Sequence, residues 1–303
     1  MPRRVAITGS SGLVGRALVA SLRADGHAVV RMVRTPGAAT GDDIARWDPA
    51  TGDVDLTALG NPDAVVHLAG ENIAAGRWTA ARRRRIRDSR GPATLALCRT
   101  LARLPRPLPV MVSASGVGIY GDRGDEWLTE TSPPGPDDDF LTAVAKEWEA
   151  ATAPLAERDT RVVTLRIGVV LAREGGALPR MLPPFRLGLG GRLGSGHHYV
   201  SWITLADLTR VIRRAIDDDD LRGPIHAVSP TPVDNREFTR TLARVLRRPA
   251  VLPVPRGLLH LLFGGFADVL LASQRARPQR LLDSGFRFEH EQLEHALRSV
   301  LGC

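Results

Sequence analysis

TGSSGLVG, residues 8–15, decides the fold of this chain. It lies between RVAITG, Arg4 to Gly9, an apolar run of strand length, and a segment whose apolar residues recur at helical spacing as far as Gly26. Gly9, Gly12 and Gly15 therefore form a G-x-x-G-x-x-G turn that follows a strand and opens a helix. Glycine at those positions allows the tight turn, lets backbone N–H groups approach a pyrophosphate, and packs the helix close to the sheet. The helix N-terminus adds partial positive charge. A bare glycine triplet is weak evidence, but the strand before it and the amphipathic helix after it make this one a dinucleotide site. Gly9, Ser11, Gly12, Leu13, Val14 and Gly15 are its predicted lining.

The pattern continues outward from this unit. Strands are read at Ala28 to Arg34, Ala64 to Gly70, Pro109 to Gly116 and Arg161 to Leu171. Between them lie an arginine-rich helix from about Thr79 to Leu104, interrupted at Gly91-Pro92, and a helix in DDDFLTAVAKEWEAAT. Near-continuous apolar strands that alternate with helices imply an α/β Rossmann fold, a doubly wound parallel sheet covered on both faces. Past Leu171 the chain turns glycine- and proline-rich, with shorter helices at about 205–217, 235–246 and 289–301 and a packed helix pair in GLLHLLFGGFADVLLA from Gly257. The expected division is a nucleotide-binding domain over 1–170, to which 205–228 returns, and a smaller α/β substrate lobe over 171–303.

The second strand bears on which nucleotide is bound. A carboxylate at its end would bond the ribose 2′-hydroxyl of NAD, but this chain has Val33-Arg34 there and no acid before Asp42. Arginine suits a 2′-phosphate, so the cofactor expected is NADP(H).

Composition narrows the partners. Hydrophobic content of 43% and charged content of 24% over 303 residues are globular values. The basic start MPRR is not followed by an apolar signal region, and no window of eighteen apolar residues suggests a membrane span. Cys98 and Cys303 are too few and too far apart for a disulfide framework or a metal site, and they fit a reducing cytoplasm. The net charge of +8 is densest in RRRRIR, Arg82 to Arg87, which lacks the interleaved aromatics of a nucleic-acid platform and reads as a solvated helix face. The expected partner is a small-molecule substrate, without nucleic acid or membrane, and a homodimer is left open.

Further motifs carry a family resemblance: HLAGENI (67–73) with Arg77-Trp78, DSR (88–90), SASGVGIYG (113–121), KEWEAA from Lys146, LRIGVVL (165–171), PFRLGLGGRLGSGHH (184–198), YVSWITLADL (199–208) and QRARPQRLLDSGFRF (274–288). With the glycine turn they resemble the extended short-chain dehydrogenase/reductases, and more narrowly an atypical group labelled sugar-epimerase-like or cell-division-inhibitor-like. This group ends in a C-terminal segment of its own, here about 252–301. The resemblance implies bound NADP(H), with Leu68, Ala69, Gly70 and Glu71 at the end of one strand, Ser113 on the next, and Arg90 and Gly168, Val169 and Val170 further along.

The same resemblance exposes a gap. The superfamily's chemistry uses a Tyr-x-x-x-Lys pair on one helix and a serine on the preceding strand, with the phenol as acid/base and the lysine holding its phenolate and the nicotinamide ribose. Lys146, the only lysine in the chain, fills the lysine position and Ser115 the serine position, but Thr142 stands where the tyrosine belongs. An aliphatic hydroxyl is a far weaker acid than a phenol. Tyr120, just beyond the strand that carries Ser115, is the candidate substitute, and Glu71, Asn72, Glu130 and His198 are further polar candidates. Two readings remain: an NADP(H)-dependent oxidoreductase or epimerase-like enzyme acting on a small carbonyl or hydroxyl compound through Ser115, Tyr120 and Lys146, or a non-catalytic NADP(H)-binding regulatory protein.

Gly12→Asp should abolish NADPH binding, measured by nicotinamide fluorescence, because it puts a side chain and a negative charge where the pyrophosphate sits. Arg34→Glu should weaken NADPH much more than NADH; equal weakening would remove the 2′-phosphate assignment.

Overall fold

The computed structural model describes residues 1–34 and 43–303. Seven strands form one parallel sheet: β1 Arg4–Thr8, β2 Ala28–Val33, β3 Ile44–Arg46, β4 Ala64–His67, β5 Val110–Gly116, β6 Arg161–Ile167 and β7 Gly223–Ala227, in the order β7-β6-β5-β4-β1-β2-β3. The order reverses between β1 and β4, and ligands of doubly wound sheets bind beyond the strand ends at such a switch point.

Strand interiors built from Val, Ile, Ala and Leu are buried on both faces by helices. On one face α1 (Leu13–Ala24) and a helix at Leu205–Asp217 pack through Leu18, Leu22, Leu208, Val211, Ile212 and Ala215 onto Val5, Ile7, Val66, Val112 and Leu165. On the other, a helix at Gly91–Leu101 sets Leu97, Cys98 and Leu101 against Ala6, Val65 and Met111. The arginine-rich stretch is two helices, Ala80–Asp88 and Gly91–Leu101, broken where Gly91-Pro92 was expected to break it. The helix that bears Lys146 spans Phe140–Ala150, and the Asp139 carboxylate caps it by accepting from the Thr142 N–H.

Three sequence readings differ from the structure. The run Arg161 to Leu171 is not one strand: β6 stops at Ile167, and Val169–Leu171 turns away to pair in parallel with Trp202–Thr204. Gly168 permits this turn, since a Cβ there would lie 2.5 Å from the Ser201 carbonyl oxygen. The proline-rich stretch read as loop contains a helix, Leu178–Arg186, whose Leu178, Leu182 and Phe185 enter a separate core with Trp202, Phe238, Leu242, Leu293 and Leu297. Burial of that face outweighs the prolines. The last helix begins at Leu293 rather than near Glu289.

The helix pair at Arg256–Phe263 and Phe266–Leu271 is present as read. The segment after this pair is sewn into the body of the protein: Arg275–Ala276 pairs with Trp127–Leu128, and the Arg275 guanidinium lies 3.9 Å from the Trp127 ring centroid and 4.4 Å from that of Tyr199. Among the described residues no helix is long and apolar enough to cross a membrane.

Candidate functional site

The site starts from a buried histidine. His67 ends β4 beside Thr8, which ends β1. Its Nδ1 is 2.7 Å from Thr8 Oγ1 and its Nε2 is 2.9 Å from Thr94 Oγ1, with the Trp47 ring edge-on at 5.6 Å. Thr8 Oγ1 already accepts from the Leu68 and Ala69 N–H groups, at 3.2 and 3.3 Å. Its hydrogen therefore goes to Nδ1, and His67 donates from Nε2 to Thr94. Burial lowers the His67 pKa to about 4 and keeps the ring neutral. The effect of this lock is to hold the turn after β4 against the glycine turn. Gly9 has φ +67°, and a Cβ on it would lie 2.8 Å from the carbonyl of Leu68 and the nitrogen of Ala69.

The predicted glycine residues meet here. The Gly12 N–H donates to the Gly9 carbonyl at 2.9 Å, and a Cβ on Gly15 would lie 2.2 Å from that same oxygen. α1 has no capping side chain and no acid in its first turn, so its leading N–H groups stay open, and Ser11 and Gly12 are exposed. Leu13 packs where a Cβ on Gly175 would lie 3.1 Å from its Cδ1, and Val14, Leu68 and Val170 pack together on the core beneath. A Cβ on Gly70 would lie 3.5 Å from the Arg90 guanidinium. The Arg90 guanidinium is 5.0 Å from the Trp148 ring centroid and donates to the carbonyls of Glu71 and Ile86, each at 3.1 Å. Burial lowers its pKa to about 10, which leaves it charged. The Glu71 carboxylate is turned to Arg82, at 3.5 Å. Val33 is half-buried and Arg34 exposed at the end of β2, while Asp42 lies outside the described residues.

The three catalytic candidates are placed differently. Lys146 is partly exposed, its ammonium 2.6 Å from Asp137 Oδ1. Ser115 is nearly buried and its hydroxyl donates to Glu149 Oε1 at 2.8 Å. Tyr120 does not face a crevice. It is fully buried, its oxygen 2.6 Å from Arg166 Nη1 and 2.6 Å from His226 Nε2, and burial raises its pKa to about 12. Its hydroxyl also lies 3.0 Å from the Thr129 carbonyl, so all of its partners in this structure are interior groups. Thr142 is also fully buried, its hydroxyl donating to the Gly118 carbonyl at 3.3 Å.

The other polar candidates are interior or engaged. Glu130 accepts from the N–H groups of His226 and Arg280, and burial raises its pKa. Burial lowers the pKa of His198. The Asn72 side chain closes its own turn onto the Ala74 N–H. Gly168, without a side chain, serves the crossing of Val169–Leu171 toward Trp202. Ser113 is buried in β5, opposite His67 of β4. The arginine run is not a purely solvated face either: Arg82 is buried against Glu71 and the Asn72 carbonyl, Arg83 lies over Trp78 and Phe140, and Arg87 pairs with Glu147 at 2.7 Å.

Sequence reasoning missed the groups that hold the site. Thr8, His67 and Thr94 form the lock, and Glu149 and Arg166 bind Ser115 into a buried ion pair in which Arg166 Nε and Nη2 each lie 2.9 Å from the carboxylate. Glu149 follows Lys146 by three residues on one helix face, which was its one visible signal.

The glycine turn at a topological switch point defines a nucleotide-binding α/β protein. By comparison, residues 5–228 match the NAD dependent epimerase/dehydratase family and residues 254–300 a domain of unknown function, DUF1731. The chain belongs to that epimerase/dehydratase family. It is 43% identical over 294 residues to the epimerase family protein Mb2239 of Mycobacterium bovis, covering 97% of this chain and 96% of the relative. It is 37% identical to the human epimerase family protein SDR39U1, covering 98% and 99%. The crystal structure of human SDR39U1 (isoform 2) with NADPH superposes with a TM-score of 0.88 at 36% identity, covering 99% of each chain.

Both deeply buried histidines make stability depend on pH. His226, like His67, has its pKa lowered to about 4 chiefly by burial. The unfolded chain takes up these protons near pH 6.5, so their contribution is complete above that value and is lost as the pH falls toward 4. Urea unfolding should show a loss of roughly 2 kcal/mol per histidine between pH 7.5 and 5. His226→Gln should remove about half of the drop. A flat profile would contradict the buried, neutral assignment.

Proposed function

We propose that this chain is an NADP(H)-dependent oxidoreductase or epimerase-like enzyme acting on a small carbonyl or hydroxyl compound. The observation that carries the reading is the cradle at the ends of β1 and β4, where Gly9 and Gly15 leave no room for side chains, Gly12 is exposed and α1 begins uncapped. That cradle fits a pyrophosphate. The NADPH in the human SDR39U1 crystal structure supports the same cofactor here. The exposure of Arg34 at the end of β2 supports its meeting a 2′-phosphate, and the position of Arg90 beside Gly70 and Trp148 supports its flanking the cofactor further along. When bound, the nicotinamide supplies hydride chemistry. Lys146 then leaves Asp137 to hold the adjoining ribose, and Ser115 faces the substrate.

We divide the chain into a nucleotide-binding part, 1–170 with 205–228, and a substrate lobe over 171–303. The two cysteines are free, which supports a cytoplasmic location.

A second reading, an NADP(H)-binding regulatory protein without turnover, is favoured by one observation. Thr142 and Tyr120 are both fully buried, so neither side chain delivers a proton at the open edge of the sheet. A tyrosine at 142 would have to displace the contact that Thr142 Oγ1 makes with the Gly118 carbonyl at 3.3 Å. A screen of carbonyl compounds that follows NADPH oxidation separates the two: turnover supports the enzyme, and its absence with NADPH binding intact supports the regulator.

Lys146→Met should weaken NADPH binding, and Lys146→Arg should restore it only in part because a planar fork presents its donors differently. Asp137→Asn frees the ammonium from an exposed ion pair and should tighten NADPH by up to about fivefold. An arginine variant indistinguishable from the parent, together with no effect at Asp137, would make Lys146 a solvated helix residue without a cofactor role.

A further inference from the structure

The chain leaves the cradle at Gly70 and becomes regular again at the helix Ala80–Asp88. Both ends of this connection are fixed. The Glu71 carbonyl accepts from Arg90, the Glu71 N–H donates to Ser89 Oγ at 3.0 Å, and the Asn72 carbonyl accepts from Arg82. At the other end the Thr79 hydroxyl caps the helix by accepting from the Arg82 N–H. Between these anchors no residue from Ile73 to Trp78 is buried, and a Cβ on Gly76 would meet nothing within 4 Å.

The bonds of this stretch are of two kinds. Those that shape it are internal: the Asn72 carbonyl accepts from the Ala75 N–H at 3.3 Å, the Arg77 carbonyl from the Thr79 N–H at 3.1 Å, and the Ile73 carbonyl from the Trp78 indole N–H at 2.8 Å. Those that hold it down come from elsewhere in the chain. Arg180, in the helix Leu178–Arg186, donates to the Ala74 carbonyl, and Arg77 Nη1 donates to the Leu261 carbonyl at 2.9 Å. The Trp78 ring meets Phe140 edge-on at 5.2 Å and Phe266 at 5.8 Å. The turn between the helix pair receives the arginines: a Cβ on Gly264 would lie 3.6 Å from Arg77 Nε, and one on Gly265 would lie 2.8 Å from Arg83 Nη2.

A segment that keeps its own shape when released, buries no residue and is pinned by two exposed arginines and one aromatic cluster opens at small cost. Its seat also spans the path of a dinucleotide, since it starts beside Gly70 and ends on Phe140, the first residue of the helix that bears Lys146. We propose that residues 73–78 are a strap across the cofactor groove, that it opens as one unit about Asn72 and Thr79, and that it limits both the entry and the release of the nucleotide. The proposal rests on the reading that the cradle holds NADP(H). It gives the start of the DUF1731 match a role, because the Leu261 carbonyl, the Gly264-Gly265 turn and Phe266 are the seat on which the strap closes.

Stopped-flow fluorescence of NADPH binding, and of NADPH displacement by excess NADP+, gives both rate constants for the full-length protein. A gate limits passage in each direction, so loosening its seat should speed both. Phe266→Ala should raise association and dissociation each by roughly threefold to tenfold. Arg77→Ala, at an exposed position that the fold tolerates, should act in the same direction. Faster dissociation with unchanged or slower association would make these residues ordinary contacts and overturn the proposal, as would rates that move in neither variant. A parent protein that binds no NADPH is instead the failure of the proposed function, and a second measurement then decides the strap. In nucleotide-free protein labelled with 5-fluorotryptophan, the Trp78 19F signal, assigned through Trp78→Phe, should show microsecond-to-millisecond exchange that Phe266→Ala shifts toward the open form. A Trp78 signal as free of exchange as that of the core residue Trp202 would overturn the proposal.

Discussion

The structure depends on how closely two backbone turns approach at the end of the sheet. Gly9 and the Leu68–Ala69 peptide are held so near each other that no side chain fits between them. The approach is maintained from below by Thr8, whose hydroxyl takes both N–H groups of the second turn and gives its own hydrogen to His67. This buried arrangement is satisfied only when all three partners are present, because an orphaned buried hydroxyl or imidazole nitrogen costs about 1–3 kcal/mol. The open N–H groups of α1 and the turn that leads to Gly70 lie on either side of this approach.

The same logic of committed hydrogens applies to the hydroxyl groups further along the sheet. A sheet of this kind presents hydroxyl groups at the ends of its strands and on the next helix, and what those groups can do depends on which hydrogens remain free. Here Ser115, Thr142 and Tyr120 each spend theirs on an internal acceptor. Arg166 and Glu149 form a buried pair that is fully used, with Ser115 and Tyr120 as its further partners. Such pairs contribute little net stability but fix geometry, since breaking one strands a charge in the interior. The DUF1731 segment reaches this pair through the Arg277 carbonyl and His226, which ties the far end of the chain to the centre of the site.

Much of this was legible in the sequence because local patterns carried it. The strand, glycine turn and helix of residues 4–24 appear where spacing put them, and Gly91-Pro92 breaks the arginine-rich helix as its chemistry demands. What could not be read depended on contacts between distant residues. The turn at Gly168 comes from a strand more than thirty residues later, and the helix at Leu178–Arg186 forms despite its prolines because its apolar face has a partner core. Tyr120 comes just after a strand that ends at the ligand edge, so sequence placed it in the crevice; only the packing of Arg166, Glu130 and His226 shows that it points inward. Glu149 drew no role from the sequence because its partners, Ser115 and Arg166, lie on other strands.

The central claim is that the uncapped start of α1 and the turn after β4 together hold a dinucleotide. Residue-resolved amide hydrogen exchange with and without NADPH tests it most directly, because the Leu13 and Val14 N–H groups belong to the first turn of the helix, which has no partners of its own. The account predicts that NADPH slows exchange at Leu13, Val14 and Gly70 while leaving the already bonded Leu68 and Ala69 amides little changed. Protection confined to other parts of the chain, or none at saturating NADPH, would contradict it.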